Sequence, residues 1–219
     1  MNTKSEEDYL KCLYHLQQGK KSVSTNEIAN YLSMKPSSVS DMLKKLAEKK
    51  CVNYLKYKGS LLTKKGELIA LSIIRKHRLW ETFLVNKLGF SWSKVHNIAE
   101  QLEHVNSEEL IDKLDYFLEY PQIDPHGDPI PQKNGTIAKL NQKHLSELKH
   151  GEEGVITGIK KGTPSLLNFL DQKNIKLGDQ IQLISILEFD QSAEVIIHKK
   201  TINLSEKICG NLLIETLND

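Results

Sequence analysis

Apolar side chains recur every three or four positions through the first half of the chain, which is the spacing of amphipathic helices. The first predicted helix covers residues 4–18 and ends at Gly19, and the second is capped by Thr25 and reaches Leu32. A third begins at Pro36, because a first helical turn tolerates proline, and continues to residue 50. The second and third helices, joined by only a few residues, form a helix-turn-helix pattern.

The segment after the third helix alternates apolar and polar residues, which is the period of a β-strand. CVNYLKYKGSLLTKKG turns at Lys58-Gly59-Ser60, so we predict a two-stranded hairpin, the wing of a winged helix. The helical period then returns in three segments, each just after a Ser or Thr cap: 63–88, 91–105 and 107–120.

The last third of the chain carries β-branched residues in short runs separated by turns. GEEGVITGIK, KLGDQIQLISILEF, AEVIIHKKTINL and GNLLIETL are predicted strands, and SLLNFLDQKN is a predicted short helix. Four of the six prolines lie in YPQIDPHGDPIPQKNG, which indicates a stiff linker before the strands. The pattern predicts a small barrel that supports a dimer or binds another part of the chain, in preference to a catalytic domain.

These elements predict an α+β protein in four segments. Residues 1–63 are predicted to form a winged helix-turn-helix domain and residues 64–120 a helical domain. Residues 121–144 form the linker, and residues 145–219 form the C-terminal barrel.

Composition narrows the class of protein. No run approaches the roughly 18 apolar residues of a membrane span, so no membrane partner is expected. The N-terminal segment MNTKSEEDYL has charges of both signs and no apolar core, so no signal peptide is expected. Cys12, Cys51 and Cys209 are far apart and form no CxxC pair, which favours a reducing cytoplasm over a disulfide framework.

The formal net charge of +2 conceals an asymmetry along the chain. Residues 1–75 contain 14 Lys+Arg against 7 Asp+Glu, which leaves 16 against 21 for the remainder. A basic first third indicates a nucleic-acid-binding head, although winged helices also serve as protein-interaction modules. The candidate DNA-binding residues are in the predicted recognition helix and wing: Lys35, Pro36, Ser37, Ser38, Ser40, Asp41, Lys44, Lys56 and Lys58.

KVHNIAEQLEHV, residues 94–105, concentrates metal-ligand residue types in one predicted helix. Four potential ligands fall within an arc of roughly 100°: His96, Glu100, Glu103 and His104. His77 and Glu81 lie four residues apart on the preceding long helix. Such spacings also occur on solvated helix faces, so periodicity alone leaves both interpretations open. Carboxylates and imidazoles without thiolates suit Mn(II) or Fe(II) better than structural zinc.

From SEEDYLKCLYHL through the winged helix to IRKHRLWETFL, KVHNIAEQLEHV and DPHGDPIP, the chain resembles the diphtheria toxin repressor family of iron- and manganese-dependent transcriptional repressors. The resemblance covers about residues 5–135, and its RKHRL and KVHxxAExLEH segments are specific. Residues 145–219 resemble, more loosely, the C-terminal domain of that family, an SH3-like barrel related to ferrous-iron-transport protein A.

The resemblance implies two metal sites. The primary site would take one residue from the first helix and three from the KVH segment: Asp8, Glu100, Glu103 and His104. The ancillary site would take His77, Glu81 and His96. Iron-type members of the family tend to have Met and Cys where this chain has Asp8 and Glu100. The expected cofactor is therefore Mn(II), with Fe(II) as the alternative and other divalent metals binding in vitro.

The chain also departs from the family pattern. Lys11 stands where some manganese regulators have a second carboxylate, so their close binuclear site is not expected here. The segment aligned with ligands from the C-terminal domain, Gly162 to Ser165, holds no carboxylate, which leaves the remaining ancillary ligand open. Asp124 occupies a place where some relatives have a cysteine near the primary site, and it is a further candidate ligand or outer-shell partner.

We therefore expect a metal-activated repressor, not an enzyme, that binds a palindromic double-stranded operator as a homodimer. A metal joining Asp8 in the head to Glu103 in the body would fix the head, whereas without metal the carboxylates would repel one another. Candidate dimer residues, which could equally be monomer core, are Leu84, Val85, Leu88, Phe90 and Trp92.

Two alternatives remain at the level of sequence. The first is a winged-helix regulator that is not gated by metal, with the His and Glu residues on a solvated face. The second is a metal-dependent hydrolase that uses Glu100 or Glu103 as a base. The second is less favoured, because the sequence has no HExxH or nucleophile motif and the basic winged helix would be unexplained.

Overall fold

The structure is a computed structural model that describes residues 2–55, 58–160 and 162–217. The chain divides into two compact units. Unit 1 comprises Met1–His77, Glu100–Ile111 and Pro131–Ile137. Unit 2 comprises Arg78–Ala99, Asp112–Ile130 and Ala138–Asp219. Residues 100–111, which include Glu103 and His104, thus belong to the same unit as the N-terminal winged helix.

Unit 1 begins with three helices that form the predicted helix-turn-helix. They are α1 (Lys4–Leu16), α2 (Thr25–Leu32) and α3 (Pro36–Glu48). The cap of α2 is Ser24, one residue before the predicted Thr25, because the Ser24 side chain accepts a hydrogen bond from the Glu27 amide. The apolar face of each helix packs into one core, whose fully buried residues include Leu10, Leu13, Ile28, Leu43 and Leu46.

The predicted wing forms an antiparallel hairpin of β1 (Val52–Leu55) and β2 (Gly59–Leu62). Its register pairs Val52 with Leu62 and Leu55 with Gly59, so the reversal falls between Leu55 and Gly59. Ser60 also pairs with Val23, which anchors the wing to the strand-like segment before α2. Lys56, one of the predicted DNA contacts, lies outside the described residues.

Three further helices follow the wing: α4 (Lys64–Asn86), α5 (Trp92–Leu102) and α6 (Glu108–Phe117). Among the described residues, no helix is long and apolar enough to cross a membrane. Helix α5 ends before the predicted Val105, so Glu103 and His104 lie in the turn after it. The four potential ligands consequently do not share one helical face: the His96 side chain is 61% exposed, whereas the Glu103 side chain is completely buried.

The C-terminal part of unit 2 is an antiparallel sheet of the strands β3 (Lys143–His144), β4 (Glu153–Ile159), β5 (Gln180–Ile186), β6 (Ala193–Ile197), β7 (Lys200–Leu204) and β8 (Leu212–Thr216). The strand order in this sheet is β3-β8-β4-β5-β6-β7. Two helices, α7 (Pro164–Lys173) and α8 (Glu206–Cys209), complete this part. The predicted strand AEVIIHKKTINL is a hairpin, because His198 and Lys199 adopt positive φ angles of 51° and 62°.

Candidate metal centre and DNA-binding face

Three potential metal ligands meet where α1 faces the turn after α5. Asp8, Glu103 and His104, here called the Asp8 cluster, offer ligand atoms that all lie within 4.8 Å of one another. Asp8 comes from the first half of α1, while the other two follow Leu102 directly. Three of the four residues predicted for the primary site therefore lie together, although Asp8 is nearly 100 positions from the other two in the sequence.

His104 has the orientation of a ligand held by an outer carboxylate. Its Nδ1 lies 2.7 Å from Oε2 of Glu7, which is buried on α1. Its Nε2 is buried and makes no hydrogen bond to any described residue. That atom lies 3.1 Å from Asp8 Oδ1 and 3.5 Å from Glu103 Oε1. A carboxylate that fixes one imidazole nitrogen and directs the other toward acidic ligands is the usual support of a metal-binding histidine.

Glu103 is a completely buried carboxylate with an imidazole partner on one side and an ammonium partner on the other. Its Oε2 lies 2.6 Å from His77 Nδ1, and its Oε1 lies 2.6 Å from Lys11 Nζ. Burial raises the pKa of Glu103, but the hydrogen bond from His77 and the charge of Lys11 outweigh burial and lower it overall. Glu103 is therefore an ionised acceptor.

Glu100 joins this group through the same lysine. Lys11 Nζ lies 2.6 Å from Glu100 Oε1, and burial of the ammonium is outweighed by Glu103 and Glu100, which raise its pKa. The predicted repulsion among metal-free carboxylates is therefore largely offset by Lys11. Burial also raises the pKa of Asp8, although His104 and Lys11 act in the opposite direction.

A second group of potential ligands lies in unit 2. Glu81, Asp124 and His126, here called the Asp124 cluster, offer ligand atoms within 4.8 Å of one another. His126 Nδ1 lies 3.5 Å from Glu81 Oε2. Burial lowers the pKa of His126, but Glu81 and Asp124 outweigh it and raise the value to about 8. Burial and the neighbouring charges of Asp128 and Glu81 raise the pKa of Asp124 to about 7.

The DPHGD turn that carries this cluster is packed against the sheet of unit 2. Asp124 Oδ1 accepts hydrogen bonds from the amides of His126 and Asp128, at 2.8 and 2.9 Å. The Ile159 amide donates to the His126 carbonyl at 2.8 Å, which fixes the turn to the end of β4. His126 was not among the predicted ligands, although its position two residues after Asp124 in a tight turn was a usable signal.

The three residues predicted for the ancillary site belong to different units. His77 belongs to unit 1, where it pairs with Glu103. Glu81 and His96 belong to unit 2, where Oε1 and Nδ1 lie 3.3 Å apart. That ligand set remains a prediction, and Asp124, which was expected near the primary site, is grouped with Glu81 and His126 instead.

Both clusters fit a divalent transition metal. Each offers two carboxylates and one imidazole, which are donors that suit Mn(II) and Fe(II). Neither cluster contains a thiolate, which is the donor typical of structural zinc sites. The Nε2 of His104 is the strongest sign of fit. It is buried, makes no hydrogen bond within the described residues and faces two carboxylates, and a buried nitrogen without a hydrogen bond costs free energy unless a ligand binds it.

The predicted DNA-binding face is accessible. The start of α3 exposes Lys35, Pro36, Ser37 and Ser38, while Ser40 is half-buried. Asp41 and Lys44 are exposed and form an ion pair of 3.0 Å along the helix. Lys58 is exposed at the tip of the wing.

A winged helix with an exposed, polar recognition helix, joined to buried carboxylate-imidazole clusters, defines a metal-responsive DNA-binding protein. Families of known proteins match each successive segment of the chain. The iron dependent repressor N-terminal DNA binding domain matches residues 1–60, and the iron dependent repressor metal binding and dimerisation domain matches residues 63–132. A FeoA domain matches residues 143–216. The chain belongs to the family of iron-dependent repressors, which are transcriptional regulators and not enzymes.

Individual relatives match between about half of the chain and nearly all of it. An uncharacterised HTH-type transcriptional regulator of Methanocaldococcus jannaschii is 38% identical over 118 residues, 53% of this chain and 94% of that protein. A manganese-dependent transcriptional repressor in complex with manganese is 33% identical with a TM-score of 0.83, covering 96% of this chain and 99% of that one. ScaR with bound Cd²⁺ is 31% identical with a TM-score of 0.74, covering 97% and 99%. The predicted fold class and family are confirmed.

Proposed function

We propose that this protein is a Mn(II)-activated repressor that binds a palindromic double-stranded operator as a homodimer, with Fe(II) as the second candidate metal. The observation that carries the proposal is the arrangement of His104. Glu7 holds one of its nitrogens, and the other lies unbonded and buried between Asp8 and Glu103. A divalent cation held by these three side chains would neutralise the two carboxylates and tie α1 to the turn after α5.

Helix α1 supports a route from this cluster to the DNA-binding face. Glu6, one residue before Glu7, is completely buried. It accepts a hydrogen bond from Lys49 Nζ at 2.7 Å and lies 3.1 Å from Lys45 Nζ. Both lysines come from the C-terminal end of α3, the recognition helix. Fixing α1 through Asp8 therefore restricts where α3 can move, which would couple metal binding to operator binding.

The Asp124 cluster supports a second metal site. Its three side chains lie within unit 2, and the turn that carries two of them is fixed to β4. An ion held there would stabilise unit 2, and Arg78, whose Nε lies 3.6 Å from Asp124 Oδ2, would temper its affinity. We propose that the Asp8 cluster is the activating site, because only it includes a residue of α1.

The test is operator binding by the full chain, measured by gel shift with a duplex selected from random sequences in Mn(II). Asp8→Asn should reduce Mn(II)-stimulated binding at least tenfold while circular dichroism shows an unchanged fold. Glu103 is a poorer choice of variant, because its removal also leaves His77 and Lys11 without their buried partner. The matched control is Asp171→Asn, an exposed carboxylate on α7.

The same titration separates the alternatives. Equal operator binding with and without Mn(II), in both parent and Asp8→Asn, would identify a winged-helix regulator that is not gated by metal. Parallel series with Fe(II), Zn(II) and Co(II) at one stated salt concentration rank the metals, because phosphate contacts make operator affinity strongly dependent on salt. Fe(II) that activates at lower free concentration than Mn(II) would overturn the choice of manganese.

A further inference from the structure

Lys11 places an ammonium among the carboxylates of the Asp8 cluster. Its Nζ lies 2.6 Å from Glu100 Oε1, 2.6 Å from Glu103 Oε1 and 2.9 Å from Glu103 Oε2. These three oxygens match the three donors of an ammonium group. The Lys11 side chain is only 13% exposed, and the Glu103 side chain is completely buried. The ion pair therefore lies in a medium where charges act strongly on one another.

The ammonium and a bound metal would use the same oxygen atom. Glu103 Oε1 accepts from Lys11 and also faces the unbonded Nε2 of His104 at 3.5 Å. A divalent cation in contact with Glu103 and His104 would lie within a few ångströms of Lys11 Nζ. Either the two positive charges repel each other at that distance, or Lys11 leaves its carboxylates and loses buried ion pairs. Both routes lower the affinity of the cluster for a divalent cation.

We propose that Lys11 is a built-in competitor that stabilises the metal-free protein and sets how much divalent metal is needed to fill the Asp8 cluster. The inference rests on the proposed function, because it takes the Asp8 cluster to be the activating site. The side chain contributes in opposite directions to the two states: it stabilises the free protein by pairing with Glu100 and Glu103, and it weakens metal binding by its charge. A purely structural lysine would stabilise both states alike.

Because Lys11 acts in opposite directions on the two states, its replacement should change two measurable quantities of the full chain: the metal-free melting temperature and the Mn(II) dissociation constant. Lys11→Met removes the charge and keeps a side chain of similar length. We expect its metal-free melting temperature to fall and its Mn(II) dissociation constant to decrease on the order of tenfold or more, because one positive charge has left the low-dielectric site. Calorimetric titration with MnCl2 measures the affinity, and Asp8→Asn identifies which heat belongs to the Asp8 cluster. Lys11→Arg, which retains the charge, should bind Mn(II) more weakly than Lys11→Met.

The control is Lys20→Met, which breaks an exposed ion pair of equal length, 2.6 Å to Glu27, outside both clusters. It should change neither Mn(II) affinity nor the response of stability to Mn(II). If Lys11→Met does not fold, Lys11→Gln is the second variant. It removes the charge but keeps hydrogen-bond donors toward Glu100 and Glu103, and its Mn(II) dissociation constant should likewise decrease. An unchanged or weakened Mn(II) affinity in the folded variant overturns the competitor role. Absence of Mn(II) binding in the parent as well overturns the proposed function itself, which is a distinct result.

Discussion

Neighbouring side chains on one turn of α1 contact quite different parts of unit 1. Glu6 contacts the end of α3, Glu7 holds His104, and Asp8 lies beside the free nitrogen of that histidine. Successive helical residues point about 100° apart, so a single turn can reach three separate partners. Because this turn is rigid, a displacement of Asp8 is also a displacement of Glu6.

Glu6 should make stability depend on acid pH. Burial raises its pKa, but the hydrogen bond from Lys49, the Thr3 amide and Lys45 outweigh burial and lower the value from 4.5 to about 2. A carboxyl with a depressed pKa stabilises the fold above its ordinary pKa, and this contribution disappears as the pH falls from 4.5 toward 2. Glu6→Gln can still cap α1 but loses the charge, so we expect it to be less stable by about 1–2 kcal/mol at pH 7.

Urea unfolding of parent and Glu6→Gln at a series of pH values measures this difference. The two free energies of unfolding should converge as the pH approaches 2. Glu48→Gln, an exposed carboxylate on α3, serves as the control and should differ from the parent by much less. A destabilisation of Glu6→Gln that stays constant from neutral to acid pH would mean that the charge of Glu6 is unimportant.

The chemistry of the Asp8 cluster could be predicted from sequence, but its contacts could not. Asp8, Glu103 and His104 were identified by residue type together with a family resemblance. Periodicity shows which residues share a helix face, yet Lys11 and Glu103 are 92 positions apart and their contact depends on how whole elements pack. The supporting role of Glu7 was missed for the same reason, since its partner His104 is 97 positions away.

Among the elements, the turn that carries Asp124 and His126 depends on a glycine at its closest approach to β4. Gly127 has a φ of +86°, and an added Cβ would lie 2.1 Å from both Gly158 Cα and Thr157 O. A side chain there would be strained and would also push the turn away from the strand. The geometry of the Asp124 cluster therefore depends on a residue that carries no side chain.

Gly127→Ala should destabilise the protein by about 3 kcal/mol or more, since strain at positive φ adds to overlap with the backbone of β4. Gly151→Ala is the matched control, because Gly151 has a φ of +78° but nothing within 4 Å of the added Cβ. It should lose only the strain, about 1 kcal/mol. Chemical denaturation measures both variants. Equal losses would show that the approach to β4 is not tight.

At this scale the sequence predicted which elements exist more accurately than where they end. The order of helices in the first half is as predicted, because the helical period persists over many residues. The predicted end of α5, Val105, lies three residues beyond the observed end at Leu102. Glu103 and His104 continue the helical residue pattern, but their side chains contact partners on α1. Local periodicity contains no information about such partners.

For the whole molecule, the dimer depends on which apolar residues the folded chain leaves exposed. Of the predicted candidates, Leu84 is buried and Trp92 packs against the core of the C-terminal sheet, so both belong to the monomer. Leu88 is 56% exposed and fits the predicted dimer surface. Helix α6 and the residues just after it add exposed aromatic side chains that the sequence analysis did not select: Tyr116, Phe117 and Tyr120.

These aromatic residues take part in two ring pairs within unit 2. Phe117 packs edge-on against Phe83 of α4, and Tyr116 packs edge-on against Tyr120, with centroid distances of 6.0 and 6.1 Å. Exposed aromatic residues in the segment matched by the dimerisation domain favour a self-association surface, where such side chains contribute most of the binding energy. Phe189, at 95% the most exposed large apolar residue among those that the structure describes, lies instead in the loop between β5 and β6.

Tyr116→Glu should therefore convert the dimer to a monomer with little loss of monomer stability, because the tyrosine is 71% exposed and a charge would be buried only in the interface. Sedimentation velocity of the full chain with Mn(II) measures the change, and Phe189→Glu is the matched control that should remain dimeric. Since the proposed palindromic operator would be contacted by two recognition helices, the monomer should also lose most of its operator affinity while still binding Mn(II). A dimeric Tyr116→Glu with parental operator binding would exclude this surface as the interface.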